Sequence, residues 1–457
     1  MLCASVVTTA LASPVGAVGH RGSSGIVIDV EGTTDGSLPN GFVGLAFDAS
    51  EVGDPLLDPA QSNLPSYLAE LGQGNLRFGG QTSDLSVAWQ PDPSQPLPTW
   101  ATSAITPGDL TTIAQLARAT GWSVDLGVNL LHYDPAAAAN EVQVAGSILG
   151  SSLHDVEIGN EPEFYSLVTS PWSFTQYSTE LGAYQAAIRA ADPGVSFAGP
   201  DFYFTNWLKM FGADNGSRVK SLSGFTQHFY PLADCNNTVV SASDLLSQSS
   251  IASEDRTIVA AKKEADKAGI PLVLDEFNSV SCGSSSPVVA QYASALWAVH
   301  ALLEAASKGV ASVDVQMNPD NCQSYTPLCE PNPTAPATLQ AQPIFYGMLL
   351  VRSLEGGTVL KVTNRSRMKL PPGVSDDAVR LPDGDVAVVV DNTTSTDVTQ
   401  LSLTVDPTAR VVSTTSLQAP SLASTSGVTL TSATPSTGTT TGLTVPSGTA
   451  TIFTLAP

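Results

Sequence analysis

Eight short apolar runs, each separated from the next by a longer stretch with helical spacing, constrain the fold of this chain most strongly. The runs are rich in β-branched and aromatic residues and lie at residues 41–47, 75–80, 122–131, 155–162, 195–201, 224–230, 271–279 and 312–318. The stretches between them, such as 111–120, 175–191 and 291–309, place apolar residues three and four positions apart. Strands that alternate with helices form parallel sheets, and eight such units close into a barrel. The sequence therefore predicts an α/β fold, a (β/α)8 TIM barrel over residues 38–350.

The character of the sequence changes after about residue 350. Thr, Ser, Val and Pro dominate, and short alternating runs such as AVVVDN (387–392) and ATIFTL (450–455) replace the helical pattern. This alternation predicts short antiparallel strands. The early run GIVIDVEG (25–32) alternates in the same way. We therefore predict a C-terminal antiparallel β-sandwich domain formed by residues 351–457 together with 25–37.

The chain is long and strongly acidic. Its 457 residues exceed the roughly 250 of a typical barrel, which leaves room for that second domain. It has 42 Asp and Glu against 19 Lys and Arg, a net charge of −23 at pH 7. Such a surface repels nucleic acid, anionic membranes and highly sulfated polysaccharides, so none of these is an expected partner. No uninterrupted run of about 18 apolar residues occurs, which argues against a membrane span.

The first residues resemble a targeting segment. Residues 1–17 are apolar and carry small residues in an A-x-A-like pattern around positions 10–12. Such a pattern is typical of the apolar region and cleavage site of a signal peptide, although the basic residues that usually precede it are missing. We therefore expect a secreted, extracellular protein, with an apolar tail as the alternative. We also expect a monomer.

Five cysteines occur, and Cys3 lies within this signal-peptide-like segment. The other four allow three pairings, and they lack the CxxC and paired-His spacing of zinc sites. We predict a local bridge between Cys322 and Cys329 and a longer one between Cys235 and Cys282; four buried free thiols are the alternative. We expect neither a metal nor another cofactor.

Two glutamates stand at the ends of predicted barrel strands. Glu161 follows the fourth run in the string EIGNEPEF, and Glu276 ends the seventh in LVLDEFNS. Catalytic groups of such barrels lie at the carboxyl ends of the strands. Glycoside hydrolysis needs two carboxyl groups on opposite sides of one sugar carbon. These glutamates are therefore the candidate catalytic pair, and the alternative is that both form ordinary salt bridges at the barrel rim.

Other acidic residues lie beside each candidate. Glu157 and Glu163 flank Glu161, and Asp275 precedes Glu276. The choice within each group depends on the two-residue alternation of a strand, which directs every second side chain to the same face, and on the resemblance of the surrounding strings to a known family. Asn160 supports the choice of Glu161, because its amide can bind a sugar hydroxyl next to the bond that Glu161 would protonate.

Five strings of the chain occur in an order that resembles a known family. They are GLAFDAS (44–50), LRFGGQTSD (76–84), EIGNEPEF (157–164), QHFYP (227–231) and DEFNSVSCG (275–283). Together they span nearly the whole predicted barrel. They resemble the retaining hydrolases of clan A, and within that clan glycoside hydrolase family 79, which contains β-glucuronidases and heparanases.

The resemblance implies a role for each matching residue. Glu161 would be the general acid/base and Glu276 the nucleophile. Asn160 would contact the sugar 2-hydroxyl, Asp48 would hold hydroxyls on the far side of the ring, and Tyr230 would donate a hydrogen bond to the nucleophile. The alternative for Tyr230 is a rim aromatic that only packs.

Two further residues of the matching strings have open roles. Arg77 could pair with a catalytic carboxylate or form a salt bridge in the barrel floor. His228 is interpreted as a structural barrel histidine rather than an acid or base.

The family also recognises a uronate carboxylate. The resemblance places the backbone amides of Cys282 and Gly283 and the hydroxyl of Tyr325 at that carboxylate. Some members carry a tyrosine five residues after the nucleophile, and this chain has Ser281 there. That difference puts strict specificity for glucuronides in doubt.

Three functions follow from these observations. The favoured prediction is an exo-acting retaining β-glucuronidase whose partner is a carbohydrate. The second is a retaining β-glycosidase for a neutral sugar, such as a β-glucosidase or β-galactosidase. The third is a carbohydrate-binding protein without catalysis, although two intact strand-end glutamates argue against it. Endo-cleavage of heparan sulfate is disfavoured, because so acidic a chain cannot easily form a basic cleft.

Overall fold

The computed structural model describes residues 25–457 except 215, 237, 283–285, 333–335, 365–369 and 436. Two predictions, the signal-peptide-like segment at 1–17 and the site residue Gly283, lie outside the described residues. Eight parallel strands form one sheet, and in chain order they are Val43–Asp48, Asn75–Gly79, Ser123–Val128, Leu153–Ile158, Ala198–Phe202, Gly224–Phe229, Leu272–Phe277 and Ser312–Gln316. Each strand overlaps one of the eight predicted runs, so the strand prediction is confirmed.

These strands form a closed barrel. Neighbours in the chain are neighbours in the sheet, and the last strand pairs with the first through Val313 and Val43. A parallel bridge between Val156 and Phe197 joins the fourth strand to the chain just before the fifth. The predicted TIM barrel is therefore confirmed, and its strand ends meet at one mouth.

Helices surround the barrel between its strands. The longer ones are Leu64–Leu71, Pro107–Thr120, Pro135–Leu149, Phe174–Ala191, Thr205–Asp214, Gln248–Ala268, Tyr292–Ser307 and Pro343–Arg352, and short ones span Gly80–Leu85, Gly216–Val219 and Ala242–Leu245. Pro107–Thr120 shows how local sequence sets their bounds. Thr106 and Asp109 cap its first turn reciprocally, and Gly121 ends it with a left-handed φ of 77°. No helix in the described part of the chain is long and apolar enough to cross a membrane.

The second domain is a nine-stranded sheet. Its spatial order is Thr429–Ala433, Arg410–Gln418, Thr449–Ala456, Val386–Asn392, Val374–Arg380, Gly357–Asn364, Val27–Leu38, Val398–Thr404 and Thr441–Val445. All pairs are antiparallel except that between Val27–Leu38 and Val398–Thr404. Side chains from distant strands of this order, including Val411, Phe453 and Val445, share one hydrophobic core. The predicted β-sandwich is therefore confirmed, with one parallel pair added.

The domain packs on the barrel through the helix Tyr292–Ser307. The Tyr292 hydroxyl donates to the carbonyl of Leu417 over 2.7 Å, and the backbone N–H of Ala293 donates to the carbonyl of Leu422 over 3.0 Å. Buried residues of the nine-stranded sheet that lie outside its own core, such as Val389 and Ile452, belong to the hydrophobic cluster of the barrel. One face of the sheet therefore packs into the hydrophobic core of the barrel, while the domain keeps a second core of its own.

Both predicted disulfides are present. Cys235 is bonded to Cys282 across 47 residues of sequence, and Cys322 to Cys329 across 7. The expectation of four free thiols is therefore excluded. Disulfides of this kind are consistent with an oxidising, extracellular setting.

Candidate active site

The carboxyl ends of the barrel strands surround an open cleft of about 490 Å³. Six of the eight predicted site residues line it, and they are Asp48, Glu161, Tyr230, Glu276, Cys282 and Tyr325. Asn160 is buried directly beside Glu161. The structure therefore brings residues that lie up to 277 positions apart (325 − 48) into one cleft.

Only two of the five clustered carboxylates face this cleft. Glu157 lies in the barrel interior, where its Oε2 accepts a hydrogen bond from Arg77. Glu163 accepts hydrogen bonds from the backbone N–H groups of Tyr203 and Phe204 at 2.6 and 2.7 Å. Asp275 is buried 3.6 Å from the imidazole of His228. Glu161 and Glu276 are left as the pair that can contact a bound molecule.

The two glutamates are close enough to act on one bond. A carboxylate oxygen of Glu161 lies within 4.8 Å of one of Glu276. Glu161 adopts a left-handed backbone conformation with φ 45°, and its N–H donates to the carbonyl of Asp201 over 2.9 Å. Strained backbone of this kind is typical of functional positions. Carboxyl groups of retaining glycosidases are about 5 to 5.5 Å apart, against about 6.5 to 9.5 Å in inverting ones.

Arg77 organises the floor of the site. Its guanidinium is buried and donates hydrogen bonds to Glu157 at 2.8 Å, to Glu276 at 3.0 Å and to the Asn160 side-chain carbonyl at 2.9 Å. Both roles considered for Arg77 are therefore present, because it lies in the barrel interior and pairs with a candidate catalytic carboxylate. The bond to Asn160 fixes its amide, whose buried Nδ2 has no partner among the described residues.

Glu276 is held from two sides. The hydroxyl of Tyr230 donates to its Oε1 over 3.0 Å, and Arg77 donates to its Oε2 over 3.0 Å. Burial and the charge of Glu276 raise the pKa of Tyr230 well above its usual value, so the phenol keeps its proton and remains a donor. Two donors on one carboxyl group fix its orientation.

Glu161 has a different partner. Its Oε1 lies 3.0 Å from Nδ1 of His228, which is fully buried. Burial raises the pKa of Glu161, and the hydrogen bond and charge of His228 oppose the rise only in part. Burial also opposes protonation of His228, but the charges of Glu276 and Asp275 raise its pKa well above the usual value. The cleft therefore holds one carboxyl group biased toward the protonated form beside one held by two donors.

Asp48 also lines the cleft. It accepts hydrogen bonds from the hydroxyl and N–H of Thr82 at 3.1 and 3.4 Å. Burial and the charge of Glu276 raise its pKa to about 6. Gly80, with φ 69°, comes so near that a Cβ there would lie 2.2 Å from the Asp48 carboxylate. A glycine is therefore required at this turn.

The cleft wall near the Cys235–Cys282 disulfide carries the residues considered for a uronate. Cys282 is bonded to Cys235, and both line the cleft. Tyr325 packs edge-on against Tyr230 with ring centroids 5.8 Å apart. Its hydroxyl makes no hydrogen bond to a described residue. No Lys or Arg is among the described residues that line the cleft.

The sequence matches no protein-family model and no curated protein, but the structure is similar to solved glycoside hydrolases. One is a 4-O-α-L-rhamnosyl-β-D-glucuronidase from Fusarium oxysporum 12S in complex with Rha-GlcA, with a TM-score of 0.74 and 19% identity over 94% of this chain and 100% of that one. A GH51 arabinofuranosidase from Xanthomonas axonopodis pv. citri has a TM-score of 0.67 and 13% identity, with the same shares covered. The catalytic domain of GH30 xylanase C from Talaromyces cellulolyticus has a TM-score of 0.57 and 13% identity, again over 94% and 100%. At these identities the similarity establishes the barrel and β-sandwich fold that this chain shares with them.

Several residues of the cleft were missed by the sequence reasoning. Gln81, Thr82, Phe164, Tyr203 and Gln316 also line it. Gln81 and Thr82 directly follow the strand-end turn after Arg77, so the position of that turn was a usable signal. The contact of His228 with Glu161 could also have been suspected, since His228 and Tyr230 share one face of the sixth strand by alternation.

Proposed function

We propose that this protein is a retaining, exo-acting glycoside hydrolase of the family-79 type and that its preferred substrate is a β-glucuronide. The observation that supports this most is the pairing of Glu161 and Glu276 within 4.8 Å at the mouth of a clan-A-like barrel. A retaining mechanism needs a nucleophile and a proton donor, and the surroundings of the two glutamates differ accordingly. Glu276 accepts two hydrogen bonds, and the pKa of Glu161 is raised.

In the first step the carboxylate of Glu276 attacks the anomeric carbon of the substrate. The bond from that carbon to the leaving oxygen breaks, and Glu161 gives its proton to that oxygen. A glycosyl ester on Glu276 results. In the second step Glu161, now ionised, takes a proton from water, and the water oxygen displaces Glu276 from the anomeric carbon. Two inversions give a product with the original configuration.

The remaining cleft residues position the sugar. The free Nδ2 of Asn160 can donate to the 2-hydroxyl, and Asp48 accepts from hydroxyls on the opposite side of the ring. A uronate would accept hydrogen bonds from the Tyr325 hydroxyl and from the amides at Cys282 and Gly283. The similar fold of a rhamnosyl-β-D-glucuronidase supports this substrate class. We also propose that the protein is secreted and acts as a monomer.

A retaining β-glycosidase for a neutral sugar is the second candidate. It is favoured by Ser281, which stands where some family members have a tyrosine, and by the lack of Lys and Arg among the described lining residues. The structural similarity to arabinofuranosidases is compatible with this second candidate. Both candidates use Glu161 and Glu276 in the same roles.

Hydrolysis of nitrophenyl β-glucuronide, β-glucoside, β-galactoside and β-xyloside distinguishes the candidates. We expect the highest kcat/KM on the glucuronide and no turnover of any of the four by Glu276→Gln. A higher value on a neutral glycoside would replace the glucuronidase proposal by the second candidate. Equal activity of Glu276→Gln and the native enzyme would remove the proposed mechanism.

A further inference from the structure

A second cleft, of about 470 Å³, lies beside the proposed active site. The segment after the second barrel strand lines it together with the chain between residues 129 and 141. Asn129, one of its lining residues, donates hydrogen bonds to the carbonyls of Ser83 and Asp84 at 2.8 and 3.0 Å. Those two residues belong to the helix Gly80–Leu85, whose first residues line the active-site cleft. One short helix therefore separates the two clefts.

Aromatic side chains dominate the wall of this second cleft. Trp100 stacks on His132 with ring centroids 3.8 Å apart and an interplanar angle of 9°. Tyr133 is 54% exposed, and the indole of Trp89 is fixed by a 2.8 Å hydrogen bond to Asn140. Partly exposed aromatic rings with polar tips can cover apolar surface while still donating hydrogen bonds. A pyranose ring matches such a wall, because its C–H face is apolar and its hydroxyls form hydrogen bonds.

Glu141 supplies a polar group at the same place. Its side chain lines the cleft, is only 4% exposed, and makes no hydrogen bond to a described residue. A buried polar group without a partner is costly and normally has one. Two neighbouring sugar hydroxyls would donate to this carboxyl group and remove that cost.

The charges of the cleft restrict the ligand further. Its ionisable lining residues are Glu141, Asp134, Tyr133 and His132, and no Lys or Arg is among the described lining residues. Burial lowers the pKa of His132, so this ring is neutral near pH 7 and provides no positive charge. An anionic ligand would find no cation here. The lining of the cleft therefore disfavours an anionic saccharide.

We propose that the cleft lined by Trp100, Tyr133 and Glu141 binds an uncharged saccharide unit. The ring would stack on the aromatic wall while its hydroxyls donate to Glu141. This second cleft lies across the helix Gly80–Leu85 from the active-site cleft. A glycan bound in it would therefore be held next to the active site. This function goes beyond hydrolysis, and it does not depend on which sugar the active site accepts.

Affinity electrophoresis tests the proposal on the full chain. Native gels contain arabinoxylan, linear arabinan, β-1,4-galactan or mixed-linkage β-glucan, with polygalacturonate as the charged probe. The variants are Trp100→Ala, Tyr133→Ala and Glu141→Gln. Glu70→Gln is the matched control, because it makes the same substitution at an exposed position on another helix. Tyr133→Ala covers the case in which Trp100→Ala does not fold, since Tyr133 is largely exposed.

At least one uncharged polysaccharide is expected to retard the native protein and Glu70→Gln, while polygalacturonate does not. Tyr133→Ala and Glu141→Gln are expected to weaken that retention at least tenfold, as is Trp100→Ala where it folds. The proposal is overturned if none of the four uncharged glycans retards the native protein, or if the folded variants are retarded as strongly as the native protein. Turnover of nitrophenyl glycosides in the same preparations tests Glu161 and Glu276 separately, so the two proposals can fail independently.

Discussion

At the scale of single residues, the surroundings of the two glutamates distinguish their roles. The carboxyl group of Glu276 accepts hydrogen bonds from Arg77 and Tyr230. Glu161 is buried against His228, and its pKa is raised. A proton donor needs a pKa near the working pH, whereas a nucleophile needs the ionised form. The different neighbours of the two glutamates support the two roles that we propose for them.

Replacing Glu161 by Gln removes the proton donor while keeping the shape of the side chain. We expect cleavage of glycosides with poor leaving groups to fall by about 10²- to 10⁴-fold. Glycosides of acidic phenols need little protonation and should still form the glycosyl enzyme. Activity of the native enzyme should decline as the pH rises through the pKa of Glu161, and the variant should lack that decline. Pre-steady-state bursts and pH profiles measure both effects; equal losses on all leaving groups would contradict the role of Glu161.

Tyr325→Phe tests the proposed uronate contact. A hydrogen bond to a charged acceptor contributes about 1.5 to 3 kcal/mol, and about 1.4 kcal/mol corresponds to a factor of ten. We therefore expect kcat/KM on a glucuronide to fall about tenfold or more, with little change on the matching glucoside. The glucoside is the internal control. Equal losses on the two substrates would show that Tyr325 only shapes the cleft.

The sequence indicated these residues to very different degrees. Glu161 and Glu276 were predictable because each ends an apolar strand, which is a local pattern. The bond between Glu161 and His228 joins residues 67 positions apart, and it depends on how two strands lean toward each other inside the barrel. The three bonds of Arg77 reach the ends of two other strands, the fourth at Glu157 and Asn160 and the seventh at Glu276. Such contacts require the closed barrel, so composition and spacing could not specify them.

At the scale of elements, loops that follow the strands form the site, and disulfides hold some of them. The pair Leu232–Ala233 and Val280–Ser281 forms a small parallel ladder next to the Cys235–Cys282 bond. The pair Leu328–Cys329 and Gln340–Ala341 forms a small antiparallel ladder beside Cys322–Cys329. Only the first bond lies in the wall of the active-site cleft among the described lining residues.

Removing each disulfide should therefore have different effects. Chain entropy predicts that the bond spanning 47 residues stabilises the fold by about 4 kcal/mol and that the bond spanning 7 contributes about 2 kcal/mol. We expect Cys235→Ser with Cys282→Ser to lower the melting temperature more and to raise KM. Cys322→Ser with Cys329→Ser is the matched control. Calorimetry and kinetics provide the measurements, and a larger rise of KM in the control pair would contradict this assignment.

Element positions were predictable where the pattern was periodic. The helices Phe174–Ala191 and Tyr292–Ser307 agree with their predicted stretches, because apolar spacing determines which face is buried. The position of Val27–Leu38 in the β-domain is different. It lies between Gly357–Asn364 and Val398–Thr404, more than 300 residues away in sequence. Alternation predicts a strand but does not name its neighbours.

At the scale of the whole molecule, the acidic composition extends into the interior. Burial raises the pKa of Glu141 to about 8. Burial and the charges of Glu304 and Asp376 raise that of Asp377 to about 7. Such carboxyl groups ionise near pH 4 in an unfolded chain. The folded protein therefore binds more protons than the unfolded chain between about pH 4 and 8. The stability from these groups is complete below that window and is lost as the pH rises through it.

The melting temperature is accordingly expected to fall between pH 5 and pH 8. Glu141→Gln cannot ionise at this position, so its fall should be smaller than that of the native protein. Glu70→Gln, at an exposed position, should behave like the native protein. Differential scanning calorimetry at both pH values measures the difference. A melting temperature that rises over this range, or an equal fall in Glu141→Gln, would contradict the prediction.

Chemical rescue of Glu276→Ala tests the central claim most directly. The variant is incubated with azide and with the nitrophenyl β-glycoside that the native enzyme cleaves best, and the product is identified by proton NMR. Azide would occupy the space left by the nucleophile and attack from its side. The account predicts restored turnover and an α-glycosyl azide, the anomer opposite to the substrate. A β-glycosyl azide from Glu276→Ala, or rescue only in Glu161→Ala with the opposite anomer, would contradict it.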